Sequence, residues 1–380
     1  AQGCLAFRPN VASPGLAAMM LYWCLCIVVV LSFADALTVA NVSTSKVPSA
    51  KDLALSGHAV AKTPTLHTIC SRDLTGREHD AVIVMLVAAD SWDWAKTALK
   101  SLHFVQDSYR AEVGIFYDTA DNITEEKLHL LFEAAKPRKA CATRILFAEF
   151  PPGMSEKSKT PWIQRNSWGY MHMIRFFFVD LMDPKLKLLS GFKYWARLDT
   201  DSYFQLPVPD IFQNFDKNPA LGYIHNLENA DCGGIVEGLQ DFARAFVSQR
   251  HDDPSAIPAL SKCKRDCVLG WYNNFEAGRI AAFQTTDAQA FIQAVVASKG
   301  IYEKRWGDAI LRRLLVEIMH VPHQEASKEM LLSYYHPGQN RVISDVAHAL
   351  VGARPEQLLG SPKWPSFVPQ LSPEAVSRFS

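Results

Sequence analysis

Three hydrophobic patterns divide the chain. The first is an uncharged stretch over residues 15–34 that carries Met19, Met20, Leu21, Trp23, Ile27, Val28, Val29, Val30, Leu31 and Phe33, with Arg8 before it and Asp35 after. At about 1.5 Å per helical residue, roughly twenty such residues cover the apolar core of a bilayer. The stretch therefore predicts a signal anchor. Ala34-Asp35-Ala36 also has the small-x-small spacing of a signal-peptidase site, so a signal peptide over residues 1–36, cleaved after Ala36, stands beside the anchor. Either reading sends the bulk of the chain into the secretory pathway. The second pattern is the lack of one: residues 37–80 are rich in Ser, Thr, Lys and Ala without sustained periodicity, as in a stem or linker.

The third pattern begins at Ala81. Residues 81–88 (AVIVMLVA) form a continuous apolar run rich in β-branched side chains, which fits a strand buried on both faces. Helical spacing follows over 91–105, a strand pattern over 112–117, a helix over 125–135 and a strand over 143–150. Helices over 168–182, 207–215, 239–248, 286–297 and 306–319 and a strand over 192–198 extend the series. Strands alternating with helices of this length predict βαβ units, hence an α/β, Rossmann-like, mainly parallel sheet flanked by helices in a single domain over 81–350. Right-handed crossovers then put ligands outside the carboxyl ends of the strands. Pro355, Pro362, Pro365, Pro369 and Pro373 mark residues 351–380 as an extended, Pro-rich tail.

Composition narrows the function. The 39 basic and 39 acidic side chains leave no net charge, which disfavours a nucleic acid partner bound by bulk electrostatics. A 48% apolar content excludes a disordered chain. No repeat of roughly 20 to 50 residues is present, so a solenoid is excluded as well. The absence of a phosphate-binding Gly-rich loop and of a Gly-x-Ser-x-Gly elbow disfavours kinases, dinucleotide oxidoreductases and α/β-hydrolases. Asn41-Val42-Ser43 and Asn122-Ile123-Thr124 are N-glycosylation acceptor sequences, consistent with a lumenal route. Cys70, Cys141, Cys232, Cys263 and Cys267 would meet an oxidising lumen, where an odd number leaves one unpaired or paired between chains. Cys263 and Cys267 resemble a metal pair only in spacing.

The chemistry enters at the end of the strand over 192–198, which delivers Asp199-Thr200-Asp201. Two carboxylates one residue apart offer hard oxygen ligands to a divalent cation, which in turn bridges the oxygens of a diphosphate leaving group. Metal-dependent glycosyltransferases of the GT-A type use this arrangement. That strand end is one of five segments set in a particular order along the chain. Trp168-Gly169-Tyr170-Met171-His172-Met173-Ile174-Arg175-Phe176, Tyr194-Trp195-Ala196-Arg197-Leu198-Asp199-Thr200-Asp201, Tyr272-Asn273-Asn274-Phe275-Glu276-Ala277-Gly278 and Tyr302-Glu303-Lys304-Arg305-Trp306-Gly307-Asp308-Ala309 occur in sequence, followed by Tyr334-Tyr335-His336-Pro337.

In that order these segments resemble the motifs of the fungal Golgi α-1,2-mannosyltransferases of glycosyltransferase family 15. The likeness spans residues 81–337. It departs where Asp199 replaces the family's first acidic residue, Thr200 its Pro and Met171 its Arg, and the stretch over 221–263 aligns poorly, which touches the acceptor side. The resemblance implies a GT-A catalytic domain that moves mannose from GDP-mannose to a mannose-terminated glycan or glycoprotein acceptor with Mn2+, forming an α-1,2 linkage with retention. It implies a Golgi or ER lumenal type II membrane protein, secreted if the leader is cleaved.

The same resemblance makes Asp199 and His336 ligands of Mn2+, with Asp201 a third ligand or a group orienting the turn. Glu276 would lie near the anomeric carbon, where a carboxylate acts as nucleophile or stabilises an oxocarbenium-like transition state; a buried Glu paired with Arg279 is the alternative. Asp308 would serve a sugar hydroxyl as base or binding group, or cap the helix that follows it. Tyr170 and Arg175 would contact the donor, the latter through phosphate, with core packing and an internal ion pair as alternatives. The loop Ala88-Ala89-Asp90-Ser91 would receive the nucleotide. Two other functions remain open from the residues: a GT-A transferase using a UDP-sugar, and an inactive carbohydrate-binding relative.

Overall fold

The computed structural model describes residues 67–71, 80–105, 111–121, 123–147, 168–262 and 266–336, all within the unit Val47–Ser380. The apolar leader, both glycosylation sequences' Asn41 and Asn122, Cys263 and the Pro-rich tail lie outside the described residues. Among the described residues no helix is long and apolar enough to cross a membrane.

The strands are β1 (His67–Cys70), β2 (Ala81–Leu86), β3 (Ala111–Asp118), β4 (Ala140–Ile145), β5 (Tyr194–Leu198), β6 (Tyr203–Phe204), β7 (Tyr223–His225), β8 (Glu228–Cys232), β9 (Cys267–Trp271), β10 (Phe275–Arg279), β11 (His323–Glu325) and β12 (Tyr334–Tyr335). The principal helices are α1 (Trp92–Ser101), α2 (Glu125–Ala135), α3 (Trp168–Phe178), α4 (Leu239–Gln249), α5 (Thr286–Ser298) and α6 (Asp308–Ile318). Eight strands form one sheet in the order β1-β4-β3-β2-β5-β10-β7-β11. The pairs β4-β3, β3-β2, β2-β5 and β7-β11 are parallel, while β1 and β10 run against their neighbours. The mainly parallel α/β sheet expected from the pattern is therefore present.

Strand β2 shows why its run is apolar throughout. Ala81, Ile83 and Met85 pack into the layer holding Leu99 and Leu131 of α1 and α2, and Val82 and Val84 into the layer of Phe176 of α3 and Leu311 of α6. Successive side chains of a strand point to opposite faces, so a sheet covered on both sides needs apolar residues at every step. Helix α2 matches its expected bounds; the Thr124 hydroxyl accepts from the Lys127 amide at 3.4 Å, and Glu125 and Glu126 favour the positive end of the helix dipole.

Three expectations shift. Residues 67–70, placed in the linker, are strand β1, held to β4 by the Cys70–Cys141 disulfide. Strand β4 begins at Ala140 rather than 143, because buried Ala140 and Ala142 carry the alternation there and the larger Ile145, Leu146 and Phe147 come only at its end. The helix over 207–215 reduces to Gln213–Lys217, since Val208 is engaged in a bridge with Val105. A second disulfide, Cys232–Cys267, joins register partners of β8 and β9, which removes Cys267 from any metal pair with Cys263.

The order β3-β2-β5 reverses the direction of winding between β2 and β5, the position where open α/β sheets bind ligands. The segment leading into α6 is held by close packing. A Cβ on Gly300 would overlap the Trp306 indole, whose Nε1 donates to the Glu237 carbonyl at 3.0 Å and so cannot swing away freely. Gly300→Ala is expected to lower unfolding free energy by about 1–3 kcal/mol in a urea titration; unchanged stability would show that Trp306 yields.

Candidate active site

Strands β5 and β10 place Arg197 directly across from Glu276. Their neighbours Ala196, Leu198, Phe275 and Ala277 point into the α1/α2 layer, so both charged side chains point to the other face, beneath α3 and α6. A buried charge is tolerated only when paired and hydrogen-bonded. Arg197 meets that condition with its planar fork: Nε donates to Asp199 Oδ1 at 2.6 Å, Nη2 to Asp199 Oδ2 at 3.1 Å, and Nη1 to Asp308 Oδ2. Nη1 also lies 4.0 Å from Glu276 Oε1, and the guanidinium sits 3.7 Å above the Phe177 ring. Burial opposes its charge, but Asp199, Asp308 and Glu276 outweigh this and hold it more firmly protonated than a free arginine.

Glu276 is fully buried. Its Oε2 accepts from the Tyr223 hydroxyl at 2.5 Å and lies 3.2 Å from Arg312 Nε, whereas Oε1 is buried without a hydrogen-bond partner. Burial raises its pKa, against the lowering by Arg312 and Arg197. The expected alternative partner, Arg279, is elsewhere: it donates to the Tyr194 hydroxyl and to the carbonyls of Leu221 and Phe215. The reason is parity, since positions three apart on a strand face opposite sides. Arg312 stands one helical turn beyond Asp308 on α6, on the same side of the helix.

Asp308 is the first residue of α6, so the cap position falls to Gly307, which has no side chain to cap with. The capping role expected for it is thus replaced by the bond to Arg197. Tyr170 on α3 accepts from Arg305 Nη2 at 3.2 Å, with that guanidinium 5.2 Å over its ring. Burial and the charge of Asp308 push its phenol up. Arg175 takes the internal alternative: its Nε lies 3.3 Å from Asp180 just past the end of α3, and burial pushes that carboxyl up to about 6. The structure joins Arg175 to that pair, not to the carboxylates around Arg197.

Asp201 comes together with Asp199 and His336, with one ligand atom from each within 4.8 Å of the others. His336 arrives from far along the chain because β12 pairs with β6, the strand that directly follows Asp201, setting Tyr335 opposite Tyr203. His336 Nε2 lies 3.4 Å from Asp201 Oδ1. Burial would raise the Asp201 pKa, but the hydrogen bond and charge of His336 prevail and hold it low. Burial raises that of Asp199 despite Arg197. Two carboxylates and an imidazole form a donor set suited to a divalent cation of the manganese type. The charge count agrees: the guanidiniums of Arg197 and Arg312 face the carboxylates of Asp199, Asp201, Glu276 and Asp308.

A cleft of about 400 Å³ opens beside the trio, lined by Asp90, Ser91, Trp94, Met173, Arg197 and Asp199 among others. It lies at the carboxyl ends of β2 and β5 and includes two residues of the loop expected to receive a nucleotide. Sequence reasoning assigned no role to Arg197, Tyr223 or Arg312. Arg197 had a signal: a charged residue inside an apolar strand, two positions before an Asp and therefore on its face. Tyr223 and Arg312 had none, because what they touch is set by β7 and α6 meeting β10.

No family model matches the chain. A curated relative, the probable mannosyltransferase Ktr4 of Saccharomyces cerevisiae, is 26% identical over 165 residues, 40% of this chain and 35% of that protein. The chain thus matches about a third of that relative's length. Core-mannan synthase A of Aspergillus fumigatus, in an Mn/GDP form, superposes with a TM-score of 0.56 at 16% identity, covering 70% of this chain and 76% of that one. Ktr4p of S. cerevisiae gives 0.56 at 18% identity over 71% and 74% of the two chains. The fold is therefore the GT-A fold of these transferases, and the likeness carried by the motifs is borne out.

Removing the central guanidinium strands buried carboxylates. Arg197→Met is expected to cost about 3–5 kcal/mol in urea unfolding near neutral pH. Asp199 and Glu276 already have raised pKa values, which rise further without Arg197, so the folded state gains proton affinity over the unfolded chain. Stability then grows as pH falls, and the deficit is smaller at about pH 5 than at about pH 8. A deficit independent of pH would contradict this account.

Proposed function

We propose, from the premise that this chain is a distant relative of the fungal mannosyltransferase family, that it transfers mannose from GDP-mannose to a mannose-terminated glycan or glycoprotein, making an α-1,2 linkage with retention. The observation that carries the reading is the convergence of Asp199, Asp201, His336, Glu276 and Asp308 at one end of the sheet, beside a cleft at the point of reversed winding. Asp199, Asp201 and His336 hold Mn2+, which when bound supplies countercharge to the diphosphate.

The remaining work falls to the chain's own residues. The loop after β2 and the floor of the cleft receive the nucleotide, with Trp94, 49% exposed at its rim, offering a face on which a base stacks. Glu276 presents its unpartnered Oε1 toward the reacting carbon, while Tyr223 and Arg312 fix Oε2 and so fix the direction of Oε1. Held this way, the carboxylate serves as nucleophile or as the charge facing an oxocarbenium-like transition state. Asp308 spends one oxygen on Arg197 and offers the other to an acceptor hydroxyl. Tyr170, beneath Arg305, lines the sugar side.

The enzyme on this reading is lumenal, in the Golgi or ER. It is anchored or led there by residues 1–36, with a stem before the catalytic domain, a Pro-rich tail after it and glycans at Asn41 and Asn122. In the presence of Mn2+, GDP is expected to raise the melting temperature more than UDP, because a ligand bound only by the folded state stabilises it; the reverse order points to a UDP-sugar enzyme. Glu276→Gln is expected to abolish transfer to methyl mannoside while GDP and Mn2+ binding persist. Full activity in that variant, or no GDP binding by the unaltered protein, would sink the assignment.

A further inference from the structure

Strand β8 lies in the stretch that departs from the family motifs and pairs antiparallel with β9, and this two-stranded sheet is fastened to the helix that starts at Asp308. Cys232 and Cys267 cross-link it. Arg313 of α6 donates to the Gly270 carbonyl at 3.2 Å and pairs with Glu228 at 2.8 Å. Gly270 packs so closely on α6 that a Cβ there would stand 3.0 Å from Ile310 Cγ1. The β8-β9 pair and the start of α6 therefore keep a fixed relation.

That relation brings one side chain to the candidate site. Asp231 Oδ2 lies 3.5 Å from where a Cβ on Gly307 would stand, so the carboxylate rests close to the backbone just before Asp308. Asp231 acts electrostatically on Asp308, Arg305 and Tyr170. Among the described residues no hydrogen bond or ion pair engages its carboxylate. Burial raises its pKa, opposed by Arg305. A half-buried acceptor without a donor, flanked by Asp308 and Arg305, presents the mixed acceptors and donors that recognise adjacent sugar hydroxyls. Glu276, whose Oε1 is buried and accepts no hydrogen bond, feels the charge of Asp308 as Asp231 does, so Asp308 lies between the two other carboxylates electrostatically.

We infer that Asp231 binds the acceptor sugar, accepting a hydrogen bond from a hydroxyl next to the one that attacks, with the disulfide-linked β8-β9 pair holding it in place. This rests on the proposed mannosyl transfer. A hydroxyl donating to a carboxylate makes a charge-assisted bond, and such bonds separate acceptors that carry the hydroxyl from those that lack it.

The test uses the full chain with Mn2+, GDP-mannose and methyl α-mannoside. In Asp231→Ala and the shape-preserving Asp231→Asn, kcat/KM for the acceptor is expected to fall roughly ten- to a hundredfold. GDP affinity and the slow hydrolysis of GDP-mannose by water should stay unchanged. In a series of deoxymannosides, the unaltered enzyme should lose a similar factor on one member, and the variants should lose little more on that member, because the same bond is already gone. Unchanged acceptor kinetics overturn the inference, as does an equal loss across all acceptors with lowered melting temperature and donor hydrolysis, which marks a structural role. Absence of GDP-mannose turnover in the unaltered protein overturns the mannosyl reading itself, and the inference with it.

Discussion

A guanidinium buried between a sheet and two helices must find carboxylates, and the architecture around Arg197 follows from that need. Its fork reaches the end of its own strand at Asp199, the start of α6 at Asp308 and the facing strand at Glu276. Each contact constrains a different element: the turn after β5, the entry of α6 and the β5-β10 register. One cation thus ties Asp199, in the turn after β5, to Asp308 and Glu276, and fixes the spacing of these carboxylates. Leaving it unpaired, or leaving the carboxylates unpaired, costs several kcal/mol, a large fraction of the net stability of a domain.

The surroundings explain why such a charged centre persists. Arg197 lies on Phe177, and Arg312 is enclosed by Phe178, Trp195 and Phe283. Aromatic faces carry negative potential, so they lessen the cost of burying a cation while excluding water. With water excluded, Glu276 accepts a hydrogen bond on only one oxygen, and the other has only the Arg197 guanidinium 4.0 Å away. In the proposed transfer, a preorganised acceptor of this kind stabilises developing positive charge without reorganising at the moment of reaction.

The repetitive parts of this design were legible in the sequence. The apolar run of β2, the periodicity of α2 and the acidic pair after β5 all reflect local rules of burial and spacing, and the structure places them where those rules put them. Strands β7 to β11 were not legible, because they are short and their identity comes from pairing with distant partners rather than from alternation. The same limit applies to side chains. Nothing local in Arg175 distinguishes a phosphate ligand from the partner of Asp180, and Arg279 differs from Arg312 as a partner for Glu276 only through strand parity and helix docking. His336 was reached through motif likeness; its physical cause, the pairing of β12 with β6, joins segments more than a hundred residues apart.

The neutrality of the chain acquires a local meaning here. With 39 charges of each sign, the protein as a whole exerts no net pull on an anionic sugar nucleotide. At the mouth of the cleft the balance is worse than neutral, since Asp199 and Asp201 stand there while the guanidinium of Arg197 is already engaged with Asp199 and Asp308. A diphosphate approaching those carboxylates alone meets repulsion in a partly desolvated site, where screening is weak. On the proposed function its countercharge therefore arrives before it or with it, and Asp199, Asp201 and His336 are the groups proposed to receive that charge. On that proposal the acidic pair selects against an uncompensated nucleotide as much as it assists a compensated one.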